Sequence, residues 1–221
     1  MGSKDRQGYN RVGLIQSLKK GAGFLFALIV CLASIQSQAQ STVRINFDGP
    51  PEAPPGSSVS LQNYYELGMS FTPIVTQGTF SRVGPGYPSD PQNSTAYLRA
   101  ALTQTLKSAF TNGWLFSLVS VELAEYSTLF QTPLTVRFVG YRFDGSTVTT
   151  DLTTDGIIDG TGPLPDFETF NFGSEWSGLS RVEIPTALWS LDNLVVSVPE
   201  PGTWALLIMG GGLFIWFRPK R

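Results

Sequence analysis

The sequence predicts an all-β protein: an antiparallel β-sandwich, jelly-roll-like in form, flanked by an N-terminal signal helix and a C-terminal transmembrane helix. Three observations lead there. Between Thr42 and Val198, runs rich in Val, Phe, Thr, Leu and Tyr alternate at a period of two and are broken by Gly, Pro, Asn and Asp. The same stretch holds no sustained apolar period of 3.6 residues, so it offers no amphipathic helix. Apolar segments at both ends stand beside basic residues, Lys19-Lys20 before one and Arg218, Lys220 and Arg221 after the other. The resulting organisation is a signal peptide over 1–39, a β-sandwich domain over 41–197 and a tail over 198–221.

The N-terminal segment has the order of a secretory signal. Arg11, Lys19 and Lys20 supply the positive flank and Ala22 to Ile35 the apolar core. Ser37 and Ala39 are the small residues at the two positions read by signal peptidase, so cleavage is expected after Ala39. A core of about fourteen residues is short of the ~20 needed to span a bilayer, which favours cleavage over a permanent anchor.

The strands follow in order. Val43–Phe47 stops at Asp48-Gly49-Pro50-Pro51, and the proline-rich stretch Glu52–Ser58 is a loop or edge connection. Gly68–Thr76 and Thr79–Val83 form the next pair, with Pro73 marking an edge. Gly84–Asn93, rich in Pro and Gly, is a long loop. Tyr97–Phe110 stays open between part-helix, for Ala100-Ala101-Leu102, and strand, for Thr103 and Thr105. Leu115–Tyr126 alternates, with Phe116 and Leu118 on one face and Val119, Val121 and Leu123 on the other. Leu134–Phe143 turns through Asp144-Gly145 into Thr147–Leu152, a strong hairpin signal. Phe167–Phe172, Leu179–Ile184 and Ser190–Val198 complete the series. A sandwich of this kind pairs its first and last strands, here Ile45–Asp48 with Leu191–Leu194.

The tail has three ordered parts. Val198-Pro199-Glu200-Pro201 cannot extend a helix and fits a central strand poorly, so the fold must end there and an accessible segment begin. The run Trp204–Phe217 carries no charge, and its fourteen residues suit a short hold in the membrane better than a lasting span. Arg218, Lys220 and Arg221 stay on the cytoplasmic side. Together these parts resemble the PEP-CTERM sorting signal of exosortase substrates. The resemblance implies a Gram-negative bacterium, passage through the inner membrane as a precursor, and removal of the tail by an exosortase near the Pro-Glu-Pro. It also implies delivery to the cell surface or an extracellular polysaccharide matrix. The segments Ser117–Tyr126, Phe138–Tyr141 and Ser190–Val196 resemble a recurring cargo domain among such substrates, similar to carbohydrate-binding jelly rolls.

Composition removes several function classes. The region 41–197 holds seven basic residues against fifteen acids, a net charge of −8, so phosphate-directed nucleic-acid binding is not expected. The chain has no histidine, and its one cysteine, Cys31, lies in the signal core. Histidine general bases, Ser-His-Asp triads and thiolate sites therefore have no place in the exported part. Glu122 and Glu125, three apart on one strand, face opposite sides, so no glycosidase pair is forced.

The remaining leads are aromatic and acidic. Trp176, in the Gly173–Gly178 loop, is expected to be exposed and to offer a sugar-binding face, followed by Tyr64, Tyr65 and Tyr87; Trp114 and Trp189 read as core. Asp48 and Asp192 would meet at one end of the sandwich and hold a structural Ca²⁺. Alternatively, Asp48 opens a turn and Asp192 caps a bulge with Asn193. Asp151, Asp155 and Asp159 read as a solvated acidic loop. The function expected is thus a non-catalytic carbohydrate- or matrix-binding module, with no cofactor beyond that Ca²⁺. A purely structural matrix protein and a calcium-dependent glycan hydrolase are the alternatives.

Overall fold

A computed structural model describes residues 40–50, 52–158 and 166–199. The expected signal segment with Ser37 and Ala39, and the tail residues Glu200, Pro201, Arg218, Lys220 and Arg221 with their apolar run, lie outside the described residues. Two antiparallel sheets make up what is described. The strands are β1 (Gln40–Ile45), β2 (Ser58–Leu61), β3 (Tyr64–Glu66), β4 (Met69–Thr72), β5 (Phe80–Val83), β6 (Tyr97–Ala100) and β7 (Leu106–Phe110). They continue with β8 (Ser117–Glu125), β9 (Thr135–Arg142), β10 (Thr147–Thr153), β11 (Glu168–Asn171), β12 (Leu179–Ile184) and β13 (Trp189–Pro199). A seven-stranded sheet runs β11-β8-β13-β6-β5-β2, with β1 also on β13; a six-stranded sheet runs β10-β9-β12-β7-β4-β3.

Turn chemistry sets the register of the hairpins. Leu67 and Gly68 both have positive φ, 49° and 83°, joining β3 to β4 through two residues whose twist matches the strands. Asp144 accepts from Ser146 N at 2.9 Å and Ser146 Oγ at 2.7 Å, and Gly145 takes φ 84°, closing β9 onto β10 as expected. The open segment 97–110 is two strands. Thr103 turns back at φ 68°, with Gln104 N donating to Ala101 O at 3.0 Å. The proline-rich stretch ends in a strand that alternation did not announce, β2, and Pro73 stops β4 where a longer run was expected.

The first and last strands do pair, further along than predicted: Ile45 lies opposite Leu194 and Gln40 opposite Pro199. Phe47, at φ 57°, leaves the ladder before it could reach Leu191, and β6 already occupies that half of β13, with Leu191 opposite Leu98. Two irregularities also correct the face assignment of β8. β13 bulges at Asn193, φ 45°, and the register against β8 slips again at Val119. Leu118, Val121 and Leu123 therefore all enter the core, and Val119 is turned out.

Between the sheets, Phe47, Tyr64 and Phe71 stack with centroids 5.2–6.1 Å apart, and Phe138, Phe172 and Trp176 form a second aromatic run at 4.9–5.4 Å. Each such ring taken out of water contributes about 1.5–3 kcal/mol. The core is not the only place where apolar surface is covered. On the outer face of the seven-stranded sheet Val83, Tyr97 and Ala124 are buried beneath Phe167 and Tyr87. The β5–β6 loop is stitched onto this face through Asp90 to Arg99, and through Asn93 and Thr95 to Asp192.

Gly84 anchors the start of that loop. A Cβ there would lie 2.2 Å from Pro54 O and 2.6 Å from Ala53 O, both main-chain atoms that cannot swing aside. Gly84→Ala is therefore expected to cost about 1–3 kcal/mol, read as a lowered urea midpoint. An unchanged midpoint would mean that the 53–57 segment does not rest on Gly84.

Candidate functional site

The six-stranded sheet has the uncovered face. Its outward residues stand in rows across the strands. Thr147, Tyr141 and Arg181 are neighbours, and so are Thr149, Val139, Glu183, Lys107 and Thr72. All are exposed or half-buried, whereas the outward residues of β13, such as Ser190 and Asp192, are fully buried beneath loops. Arg181 lies flat on Tyr141, its guanidinium carbon 3.6 Å from the ring centroid. Arg181 Nε donates to Glu183 Oε1 at 2.9 Å and Tyr141 OH donates to Glu183 Oε2 at 2.9 Å. Nearby, Arg137 grips Asp151 with two parallel bonds of 2.7 and 2.8 Å, both partners exposed. That bidentate pair holds the Asp151 carboxyl below its usual range. The result is a flat, prearranged grid of donors and acceptors.

Tyr65 is carried at the β3 edge of this face, 54 % exposed. Beside that edge, Thr111 N donates to Gly68 O at 2.9 Å, holding the β7–β8 loop against the β3–β4 turn. Leu67 and Trp114, both exposed, stand on these two adjoining loops. Trp114 is thus an outward indole, contrary to the core placement expected of it. Trp189 is core, its indole N–H donating to Thr186 O at 2.8 Å.

The other predicted aromatics are elsewhere. Trp176 is 2 % exposed, not a surface platform. The 3₁₀ turn Ser174–Trp176 folds the indole inward onto Phe172, and Gly140 in β9 makes the room: a Cβ there would lie 3.0 Å from Trp176 Cζ3. Tyr64 is also buried, with Arg82 5.1 Å from its ring centroid and its hydroxyl on Glu66 Oε2 at 2.8 Å. Burial pushes that hydroxyl's pKa up. Tyr87 is half-buried and lies against Arg99, which has Tyr126 on its other side at 5.0 Å.

Asp48 and Asp192 are both committed to the segment between them. Asp48 accepts from Ala96 N and Asn46 Nδ2, each at 3.0 Å. Asp192 accepts from Asn193 N at 2.6 Å, from Thr95 Oγ1 at 2.9 Å and from Asn93 Nδ2. Every carboxylate oxygen of the two residues thus has a protein donor. Burial pushes Asp192 up to about 7, against the pull of its hydrogen bonds.

A different acidic group comes together. Glu125 on β8, Glu168 on β11 and Asp155 beyond β10 bring carboxylate oxygens within 4.8 Å of one another. Gly156 N donates to Glu125 Oε1 and Asp155 N to Glu168 Oε1, each at 2.8 Å, and Thr154 Oγ1 also donates to Glu125 Oε1. Gly156 takes φ 82° and passes so close to Pro133 that a Cβ would lie 2.6 Å from its nitrogen. Spacing in the sequence gave no sign of the trio, because its members come from three strands' ends. Two neighbouring carboxylates such as Glu125 and Glu168 are also the groups a glycosidase would need. Glu125 is only 1 % exposed, however, so no glycan reaches it.

No protein-family model matches the chain, and no curated protein matches its sequence. Among solved structures, the chain is similar to a family 11 carbohydrate-binding module from Clostridium thermocellum in complex with a β-1,3-1,4-mixed-linked tetrasaccharide. That likeness has 10 % identity and a TM-score of 0.28, covering 71 % of this chain and 94 % of that one. It is also similar to the CBM22-1–GH10 modules of Clostridium thermocellum xylanase 10B complexed with xylohexaose. There the identity is 13 % and the TM-score 0.29, over 72 % of this chain and 28 % of that one. Both scores lie below 0.5, so function is read from this chain's own residues.

Two outcomes follow from the burial. Trp176→Ala is expected to cost about 3–5 kcal/mol in chemical denaturation, where an exposed indole would cost almost nothing. Asp192 binds its proton more tightly folded than unfolded. Its contribution to stability is therefore full below about pH 4 and is lost as pH rises through about 7. The Tm of the wild type is expected to fall over that window relative to Asp192→Asn; parallel profiles would remove the effect.

Proposed function

We propose that the chain is an exported, non-enzymatic protein of a Gram-negative bacterium, sorted by an exosortase to the cell surface or extracellular matrix, whose jelly-roll-like sandwich binds polysaccharide. The observation that carries the binding reading is the uncovered face of the six-stranded sheet. An extended glycan needs a flat surface with fixed hydrogen-bonding groups and an aromatic edge for its ring faces. Arg181 and Glu183, like Arg137 and Asp151, are already held by one another and have little side-chain freedom left to lose, and Tyr65 offers the aromatic edge.

The sorting reading is supported by where the strands fall. Gln40, next to the expected cleavage after Ala39, lies in β1, and Pro199, inside the Val198-Pro199-Glu200-Pro201 motif, lies in β13. These residues are register partners, so the two expected processing points bracket one antiparallel pair. Val198 is itself 4 % exposed, which favours cleavage beyond it.

Mass spectrometry of the secreted form tests sorting. A mature chain beginning at Gln40 or Ser41 and ending near Pro199–Pro201 is expected; retention of Trp204–Arg221 overturns it. Affinity electrophoresis in the producer's own extracellular polysaccharide tests binding. Tyr65→Ala is expected to weaken retardation about two- to tenfold, the equivalent of ~0.5–1.5 kcal/mol. No retardation of the wild type would leave the structural-matrix reading in its place.

A further inference from the structure

Glu125 has one oxygen accounted for and one not. Oε1 receives Thr154 Oγ1 and Gly156 N, whereas Oε2 is buried without any hydrogen-bond partner, in a residue 1 % exposed. A buried carboxylate oxygen left so is costly. Asp155 and Glu168 bring two more carboxylates within 4.8 Å. No Lys or Arg among the described residues forms an ion pair with any of the three.

We infer that Glu125, Asp155 and Glu168 together hold one hard divalent cation, calcium, joining the ends of the two sheets. Calcium–oxygen bonds are ~2.3–2.6 Å long, so no two ligands of one ion can be more than about 5.2 Å apart, a condition that all three carboxylates meet. The donor set is all oxygen; the chain's lack of histidine, and of cysteine outside residue 31, excludes the ligands softer metals prefer. Two ligands come from the seven-stranded sheet and the third from the strand end of the other. The ion would therefore cross-link the sandwich. Its place is away from the open face, so the inference does not rest on glycan binding.

The test uses the purified full-length chain, stripped with EDTA and titrated with CaCl₂ to about 10 mM, above the ~10⁻⁴–10⁻³ M range of extracellular modules. Calorimetry and thermal unfolding are read together. One equivalent of Ca²⁺ and a raised Tm are expected for the wild type, with affinity at least tenfold weaker in Glu125→Gln, Asp155→Asn and Glu168→Gln. Glu125→Gln keeps an acceptor for Thr154 and Gly156. If it still fails to fold, the other two variants, at less buried positions, decide. No binding by the wild type overturns the inference. So do variants that bind as the wild type does, or a loss confined to Asp48→Asn or Asp192→Asn.

Discussion

Burial of β13 on both of its faces is the constraint from which the rest of the arrangement follows. Inward it gives Trp189, Leu191, Leu194 and Val196 to the core; outward it presents Ser190, Asp192 and Ser197, and these are buried too. A strand in that position must find partners for its outward polar groups within the protein. The β5–β6 loop supplies them for Asp192, through Asn93 and Thr95, while the Ser190 and Ser197 hydroxyls stay without a partner among the described residues; Asp90 pins Arg99 on the neighbouring strand. Phe167 seals the far side against Tyr97 at 5.2 Å. Covering one sheet in this way uses the long β5–β6 loop, and the other sheet keeps its outer rows in contact with solvent.

That division makes the two acidic arrangements physically different. Asp192 is a structural carboxyl, supplied with donors on both oxygens and holding a loop to a sheet. Glu125 is buried to a similar degree but supplied on one oxygen only. What separates them is whether every buried oxygen is given a donor by its surroundings. The open sheet face, by contrast, keeps its charges in pairs at the surface, where the Arg137–Asp151 and Arg181–Glu183 contacts serve to fix positions rather than add much stability.

The sequence was most legible where period and turn chemistry act locally. The alternation in β8 to β10, the Asp144-Gly145 hairpin and the last strand before Pro199 could all be read along the chain. Face assignment failed at Val119, because a bulge there shifts the parity within β8 and leaves no local signature. Trp176 was misread for a related reason. Its glycine-flanked loop looks exposed in isolation, and the space it fills is set by Gly140, some thirty-five positions earlier. The Glu125–Asp155–Glu168 group was invisible to spacing altogether, since strand order rather than sequence brings β8, β10 and β11 to one end.

The place of β13 in the sheet has a consequence for the order of events during synthesis. It is the last of the described strands to leave the ribosome, yet β8, β6 and β1 all bond to it. Until it arrives, those three strands have open edges and the hydrophobic interior has no centre. Pairings of such wide sequence separation close slowly, because a long loop must be ordered before any contact rewards it. A chain built this way can close its core only after its last described strand has emerged.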